Sequence, residues 1–276
     1  NQETISEITE TIKERLETYR KSDLPAVMFA VFIDAYHAKM RIDDKIKEIN
    51  IFTAVGIDPE GIKSILGFWL NEGSENKGFW SDVFQNLITR GLTKVTIFVT
   101  DDFTGVRELI RKLYPYSDHQ LCYIHMKRNL KRNVSKKDYN EMKEPLYLAK
   151  ESKTYEEGVK HFEEVCKIVE KSNKELGSRL RDRIPNYLAF LKYPEEVRKH
   201  IYTSNIIESI NAGLESIRIS LGGYFPSENA MEINYYLQIE NLNKRWMKKP
   251  IPMIKAHSYE LKQIHVMKYE LGETEE

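Results

Sequence analysis

Ala26-Val27-Met28-Phe29-Ala30-Val31-Phe32-Ile33-Asp34 is an apolar run closed by an acid. Its Val, Ile and Phe content marks a buried strand. Two more such runs follow before about Leu70, separated by the charged turn Asp43-Asp44-Lys45 and the glycine turn Asp58-Pro59-Glu60-Gly61, so residues 26–70 read as an antiparallel meander. Beyond it the period changes. Phe79, Trp80, Val83, Phe84, Leu87 and Ile88 recur at helical spacing and stop at Gly91. Val95-Thr96-Ile97-Phe98-Val99-Thr100-Asp101 then has the continuous apolar character of a buried parallel strand, again closed by an acid. Val106, Leu109, Ile110 and Leu113 give a further helical stripe, broken at Pro115 and followed by a brief strand near His119 to Cys122.

From about Tyr139 to Val197 the strand signal disappears, and Tyr155, Val159, Phe162, Cys166 and Val169 mark an amphipathic helix. A last helix is expected from near Asn205, with Ile206, Ile210, Leu214 and Ile217 as its core stripe. Glu208 lies two residues, about 200° of rotation, from both Ile206 and Ile210, and so faces away from that core. The plainer reading makes Glu208 part of a capping box begun by Asn205.

Asp34, Asp101 and Glu208 are hard oxygen ligands of the kind that suits magnesium or manganese. A pair of such ions activates a water or sugar hydroxyl and stabilises the leaving oxygen of a phosphodiester, so phosphoryl transfer on nucleic acid is the leading chemistry. Acids at strand ends also commonly cap the next turn. The wider sequence tips the balance. It carries Phe32-Ile33-Asp34-Ala35-Tyr36-His37-Ala38-Lys39, Ala54-Val55-Gly56-Ile57, Ile65-Leu66-Gly67-Phe68-Trp69, Glu75 with Trp80, Phe84 and Leu87, Arg90-Gly91-Leu92, and Thr100-Asp101-Asp102-Phe103-Thr104-Gly105. Cys122-Tyr123-Ile124-His125 with Arg128-Asn129, and Thr203-Ser204-Asn205-Ile206-Ile207-Glu208-Ser209-Ile210-Asn211, follow in order.

In these stretches the chain, from about Leu24 to about Trp246, resembles the catalytic region of Mutator-type insertion-sequence transposases. The resemblance implies an α/β, ribonuclease H-like mixed sheet, three antiparallel strands then parallel strands with helices, with an all-helical insertion before the last catalytic helix. Residue by residue it implies a DDE triad of Asp34, Asp101 and Glu208 holding two Mg2+ or Mn2+ ions. It implies double-stranded DNA as partner, both terminal inverted repeats and target, and a homodimer or higher oligomer on that DNA. The chain departs from the family pattern at Asp102, at Phe103-Thr104 where relatives more often carry His and Lys, and at Ile206 where Pro is usual. Adjacent side chains at a strand end point to opposite faces, which favours Asp101 over Asp102 as the ligand.

The organisation expected is an N-terminal helical remnant (1–24), the first part of the catalytic core (25–135), the helical insertion (136–200), the last part of the core (201–247) and a C-terminal tail (248–276). Ile5, Ile8, Ile12 and Leu16 stand at helical spacing in the first of these. The family carries a further N-terminal DNA-binding region, so recognition of element ends is expected to lie outside this sequence.

Forty-two basic and forty-two acidic residues cancel across 276. Any DNA-binding surface must therefore be local. Lys127, Arg128, Lys131, Arg132, Lys136 and Lys137 form an acid-free stretch after the C-x-x-H motif and are the first candidate for phosphate contact. Arg218, and Lys244 with Arg245 beside Trp246, are further DNA-facing candidates. Trp80 belongs to an amphipathic stripe and reads as core rather than base-stacking. Cys122 and His125 lack the four ligands of a structural zinc site, the only other cysteine being Cys166 in the insertion. The resemblance places them next to the catalytic centre instead, His125 near metal or scissile phosphate and Cys122 packed beneath it. No Gly-rich nucleotide loop, membrane-length apolar run or export signal is present, and two cysteines fit a reducing cytoplasm, with nucleoid association through DNA. The rival readings are a ribonuclease H-like nuclease that only hydrolyses and a host-adopted, non-catalytic DNA-binding protein.

Overall fold

The computed structural model describes residues 2–73 and 75–270, with side chains from residue 7 onward. The chain opens with α1 (Gln2–Lys21), then β1 (Val27–Ile42), β2 (Lys45–Ile57), β3 (Lys63–Glu72), α2 (Lys77–Thr89), β4 (Lys94–Thr100), α3 (Val106–Leu113) and β5 (Asp118–Leu121). The helices α4 (Tyr123–Asn133), α5 (Lys136–Glu141), α6 (Lys143–Glu151), α7 (Tyr155–Ser172), α8 (Lys174–Asp182) and α9 (Ile184–Tyr187) follow. A 3-10 turn at Ala189–Lys192 leads to α10 (Glu195–Arg198), α11 (Asn205–Ser220), α12 (Glu228–Trp246), α13 (Pro252–Ala256) and α14 (Ser258–Tyr269).

The five strands form one mixed sheet in the order β3-β2-β1-β4-β5. β2 pairs antiparallel with both β1 and β3, whereas β4 is parallel to β1 and β5 is parallel to β4, so β2 alone runs against the rest. The tight β1–β2 turn uses Asp43 and Asp44 at φ 50° and 58°, the left-handed conformation that matches hairpin twist. Gly91 follows α2 at φ 106°, where an added Cβ would meet the Leu24 carbonyl at 3.1 Å. Only glycine fits that turn.

Side chains alternate across the sheet. Val31 and Ile33 of β1 and Phe98 of β4 pack with Trp80, Phe84, Val106 and Ile110 of α2 and α3, which places Trp80 in the core. Ala30 and Phe32 of β1 and Ile97 and Val99 of β4 face the other way, into a core shared with α4, α11, α12 and the helical insertion. The insertion is tied to the sheet edge. Gln120 of β5 donates to the Tyr187 carbonyl at 2.9 Å and accepts from the Phe190 N–H at 2.9 Å, and Asn186 donates to the His119 carbonyl at 3.0 Å. An edge that would otherwise invite foreign strands is thereby covered.

Three local readings change on the structure. The buried line of α11 is Ile207, Ile210 and Leu214, with Ile206 and Ile217 half-buried at its margins. Ser204, not Asn205, is the residue before the first turn and no side chain caps it, so Glu208 is not half of a capping box. The segment read as a tail folds back as α13 and α14. The Tyr269 hydroxyl accepts from the Val95 N–H at 3.0 Å and donates to its carbonyl at 2.7 Å, and His265 bonds Thr96 at 2.8 Å, all at the end of β4 remote from Asp101. α1 likewise docks, through buried Leu16 and a 2.8 Å hydrogen bond from Tyr19 to the Ile65 carbonyl. Ile8 is exposed, and the side chain of Ile5 lies outside the described residues.

Candidate active site

Strand register builds the centre of the site. Ile33 of β1 lies opposite Thr100 of β4, which makes Asp34 and Asp101 the next residues along each strand. Thr100 in turn lies opposite Leu121 of β5, and the Cys122 N–H donates to the Thr100 carbonyl at 2.8 Å. Asp34, Asp101 and Cys122 thus stand in a row where the parallel pairing of β1, β4 and β5 ends, the usual place for chemistry in an α/β sheet. Over this row lies a cleft of ≈ 290 Å³ lined by both acids, Cys122, His125, Arg128 and, from the start of α11, Ser204, Asn205, Glu208 and Asn211.

The electrostatics are those of crowded carboxylates with one compensating cation. Asp34 is 6% exposed. Burial first, and then the Asp101 charge, push its carboxyl up to about 7, against the opposing influence of His125, the Ala35 N–H and the Ser204 hydroxyl. His125 Nδ1 pairs directly with Asp101 Oδ1. That partner, with Cys122, pushes the imidazole up to about 10 despite partial burial, so His125 is a cation at neutral pH. Burial works against ionisation of the Cys122 thiol, but hydrogen bonding to His125 and to Ser204, whose hydroxyl lies 3.5 Å from the sulfur, holds it below its ordinary value. Arg128 approaches the far nitrogen of His125 at 3.4 Å. With His125 protonated both groups are donors, so this is a contact between two cations that an anion between them would satisfy.

Beneath the row, the single proton of the Thr100 hydroxyl goes to the Asp101 carbonyl at 2.7 Å. The 2.8 Å contact between that hydroxyl and His119 Nε2 is therefore donated by the imidazole. Burial and the nearby Arg107 push His119 down to about 3, which keeps it neutral in that tautomer. Asp102 turns out of the row to an ion pair with Arg183 at 2.9 Å.

The remaining sequence-level candidates separate. Lys127, Arg128, Lys131 and Arg132 are all exposed on α4, and among the described residues none has a carboxylate partner. Arg128 alone reaches the cleft. Arg218 is held by Glu215 at 2.6 Å and by the Gly223 carbonyl, and lines a different groove beside His37 and Lys39. Lys244 and Arg245 are exposed on the last turn of α12, away from the acids. Ser204 and Asn211 were not singled out from sequence. Each stands inside a quoted stretch, but only the packed chain shows the Ser204 hydroxyl serving both Asp34 and Cys122, and the buried Asn211 Oδ1 without a partner among the described residues.

Residues 1–249 match the family described as transposase, Mutator family. The chain belongs to the Mutator family of transposases. It is 30% identical over 253 residues to a probable insertion-sequence transposase of Corynebacterium diphtheriae, an alignment covering 88% of this chain and 71% of that protein. It is 29% identical over 240 residues to the IS905 transposase of Lactococcus lactis subsp. lactis (87% and 60%), and 28% identical over 255 residues to the ISRM3 transposase of Rhizobium meliloti (91% and 63%). This Mutator-family chain therefore spans between three-fifths and about seven-tenths of the length of these relatives. No helix among its described residues is long and apolar enough to cross a membrane.

Two donor sets compete for a metal ion. Asp101, Cys122 and His125 have ligand atoms within 4.8 Å of one another, and they are the one such group among the described residues. That set lacks the fourth ligand of a structural zinc site, and its His125 nitrogen is committed to Asp101. The Asp34–Asp101 pair fits a divalent cation better. Two adjacent carboxylates, one buried and resisting ionisation, form a charge deficit that a hard cation cancels. Glu208 lies on the cleft wall, outside the tight group.

Proposed function

We propose that this chain is the catalytic core of a DDE transposase on a ribonuclease H-like fold, cleaving element ends and joining the freed 3′ hydroxyl to target DNA. The observation that carries it is the β1–β4 register, which sets Asp34 beside Asp101 in a cleft whose wall holds Glu208, in a chain of a transposase family. The strand order 3-2-1-4-5 with only the second strand reversed, divided from α11 by helices, supports the fold reading. Asp34 and Asp101 would hold two Mg2+ or Mn2+ ions, with Glu208 completing the set. When bound, these supply Lewis-acid activation of the attacking hydroxyl and stabilise the leaving oxygen.

The chain's own groups do the rest. The His125 imidazolium and the Arg128 guanidinium, 3.4 Å apart, offer two donors to a non-bridging phosphate oxygen in place of repelling each other. Ser204 fixes Asp34 and Cys122 from the α11 side. His119 and Thr100 hold the backbone at Asp101. The exposed face of α4 continues from Arg128 to Arg132 at one-turn spacing and lays cations along a DNA backbone entering the cleft.

The test is a manganese-supported strand-transfer assay on pre-cut ends, supplied with the N-terminal DNA-binding region that the family resemblance implies. Joined products lost in Asp34→Asn, Asp101→Asn and Glu208→Gln support the reading. Hydrolysis without joining would indicate a nuclease, and activity in any of the three variants removes that residue from the triad.

A further inference from the structure

Four of the clefts among the described residues, the catalytic one included, carry carboxylates in their walls. A fifth, of ≈ 420 Å³, does not: its walls are Lys63, Lys199, His200, Thr203, Asn205, Ile206 and the segment 249–252, beginning with Lys249. In a chain whose charges cancel, a concave surface with three lysines, a histidine and no acid is a local excess of one sign.

Four separate parts of the chain meet to form it. Lys63 opens β3 and is half-buried, its ammonium 4.6 Å from the centre of the Trp246 ring. Lys199 and His200 follow α10, and Thr203 to Ile206 lead into α11. The turn carrying Lys249 is fixed by a 2.8 Å hydrogen bond from the Ile251 N–H to the Gly61 carbonyl. Among the described residues none of the three lysines has a carboxylate within ion-pair distance, and the buried His200 Nε2 has no partner. Burial and then the Arg245 charge push Lys63 down, while burial followed by Lys199 and Lys63 push His200 down. The cations therefore feel one another with nothing of opposite sign between them. The uncapped start of α11, a 16-residue helix, opens on the same cleft and adds its own positive end.

We propose that this basic cleft binds a backbone phosphate of DNA, as a contact separate from the α4 face. It rests on the reading of the chain as a DNA transposase core, and the place of the cleft argues for that ligand. Asn205 lines both this cleft and the catalytic one, so a strand crossing the acids meets Arg128 at one wall and passes the start of α11 at another. Of the residues that build the cleft, Lys63, Lys199 and His200 belong to neither basic stretch of the sequence.

The test is binding of a generic 30-base-pair duplex by anisotropy over a range of salt. It compares wild type, Lys199→Gln/Lys249→Gln, and the α4 variant Lys127→Ala/Arg128→Ala/Lys131→Ala/Arg132→Ala. Lys199 and Lys249 are exposed, so the double variant should keep its melting temperature, which is checked on the same sample. The expected result is roughly tenfold weaker binding and a salt slope reduced by about 1 to 2, the signature of one or two phosphates no longer neutralised. If wild type binds and the α4 variant weakens while the double variant matches wild type in affinity and slope, the cleft is not a backbone contact, and the catalytic reading stands. If wild type binds no DNA, the DNA reading itself falls and takes this proposal with it. Inorganic phosphate at matched ionic strength is the last arm: if it raises the melting temperature of wild type but not of the double variant while the two bind DNA alike, the cleft is a free-anion site only and the proposal is overturned.

Discussion

Asp34→Asn should stabilise the metal-free protein while abolishing its chemistry. The carboxyl is raised from an ordinary 3.8 to about 7 by burial and by Asp101. A tenfold change in acid dissociation is worth about 1.4 kcal/mol, so full ionisation in the fold costs on the order of 2 to 4 kcal/mol. The sign follows from the two ends of the pH range. Below pH 3.8 the group is protonated in folded and unfolded chains alike and nothing is lost. As the pH rises the unfolded chain ionises first, stability falls, and the penalty is complete above about 7. An amide keeps the shape and the acceptor for the Ala35 N–H at 2.9 Å, and removes the charge. In EDTA at pH 8 the variant should melt roughly 5 °C higher than wild type, and at pH 4 the two should coincide. Adding Mg2+ should raise wild type toward the variant and leave the variant unmoved. A variant that melts lower at pH 8 in EDTA would refute the account of Asp34 as a carboxylate ionised at a cost that a cation relieves.

Other variants probe the neighbours of that acid. Glu208→Gln should leave the melting temperature within about 1 °C, since Glu208 is exposed, yet remove metal-dependent strand transfer; Asp102→Asn, which breaks an ion pair with Arg183, should lose little activity, and the reverse ranking would exchange Asp101 for Asp102 as ligand. His125→Ala should cost roughly 10- to 100-fold in turnover or metal affinity, along with some stability at neutral pH because the cation paired with Asp101 is lost. A large drop in melting temperature with normal turnover would make His125 a structural partner of Asp101 only. His119 is neutral in the fold down to about pH 3, so protonation of the unfolded chain below about 6.5 drains stability as the pH falls. His119→Gln should flatten that acid limb by about 2 kcal/mol at pH 4.5 in urea titrations, and an unchanged limb would show that the imidazole accepts a proton in place.

Much of the sheet was legible because its signals are local. Runs of Val, Ile and Phe, the Asp43-Asp44 turn and the change from period 2 to period 3.6 after about Leu70 are each contained in a few neighbouring residues, and the strands fall where they stand. Less legible were features set by distant partners. Residues 248–270 look like a charged remainder in sequence, yet Tyr269 and His265 find Val95 and Thr96 across some 170 positions. On α11, Ile206 and Ile207 are both apolar and the periodicity accepts either. The sheet beneath, through β1, decides that Ile207 is the one fully enclosed.

The candidate site divides along the same line, and the division explains its electrostatics. Asp34 and Asp101 each announce themselves as an acid closing an apolar run; β1 continues past Asp34 to Ile42 beside β2, but its parallel pairing with β4 ends at Ile33, so register alone brings the two acids together. What the sequence could not give is that His125 turns its Nδ1 onto Asp101, that Ser204 reaches across to Asp34 and Cys122, or that Asp102 is occupied by Arg183. Each of these joins two elements whose spacing in the chain is set by the helices between them. Asp101 is paired with His125, whereas Asp34 has no ion-pair partner among the described residues, and burial and then the Asp101 charge raise it against His125, the Ala35 N–H and the Ser204 hydroxyl. A divalent cation held by Asp34 and Asp101 would supply the positive charge that Asp34 lacks. The His125 imidazolium and the Arg128 guanidinium, which face each other at 3.4 Å, would be satisfied by a phosphate oxygen between them, so the cleft sets an acid row short of positive charge beside a cation pair short of negative charge.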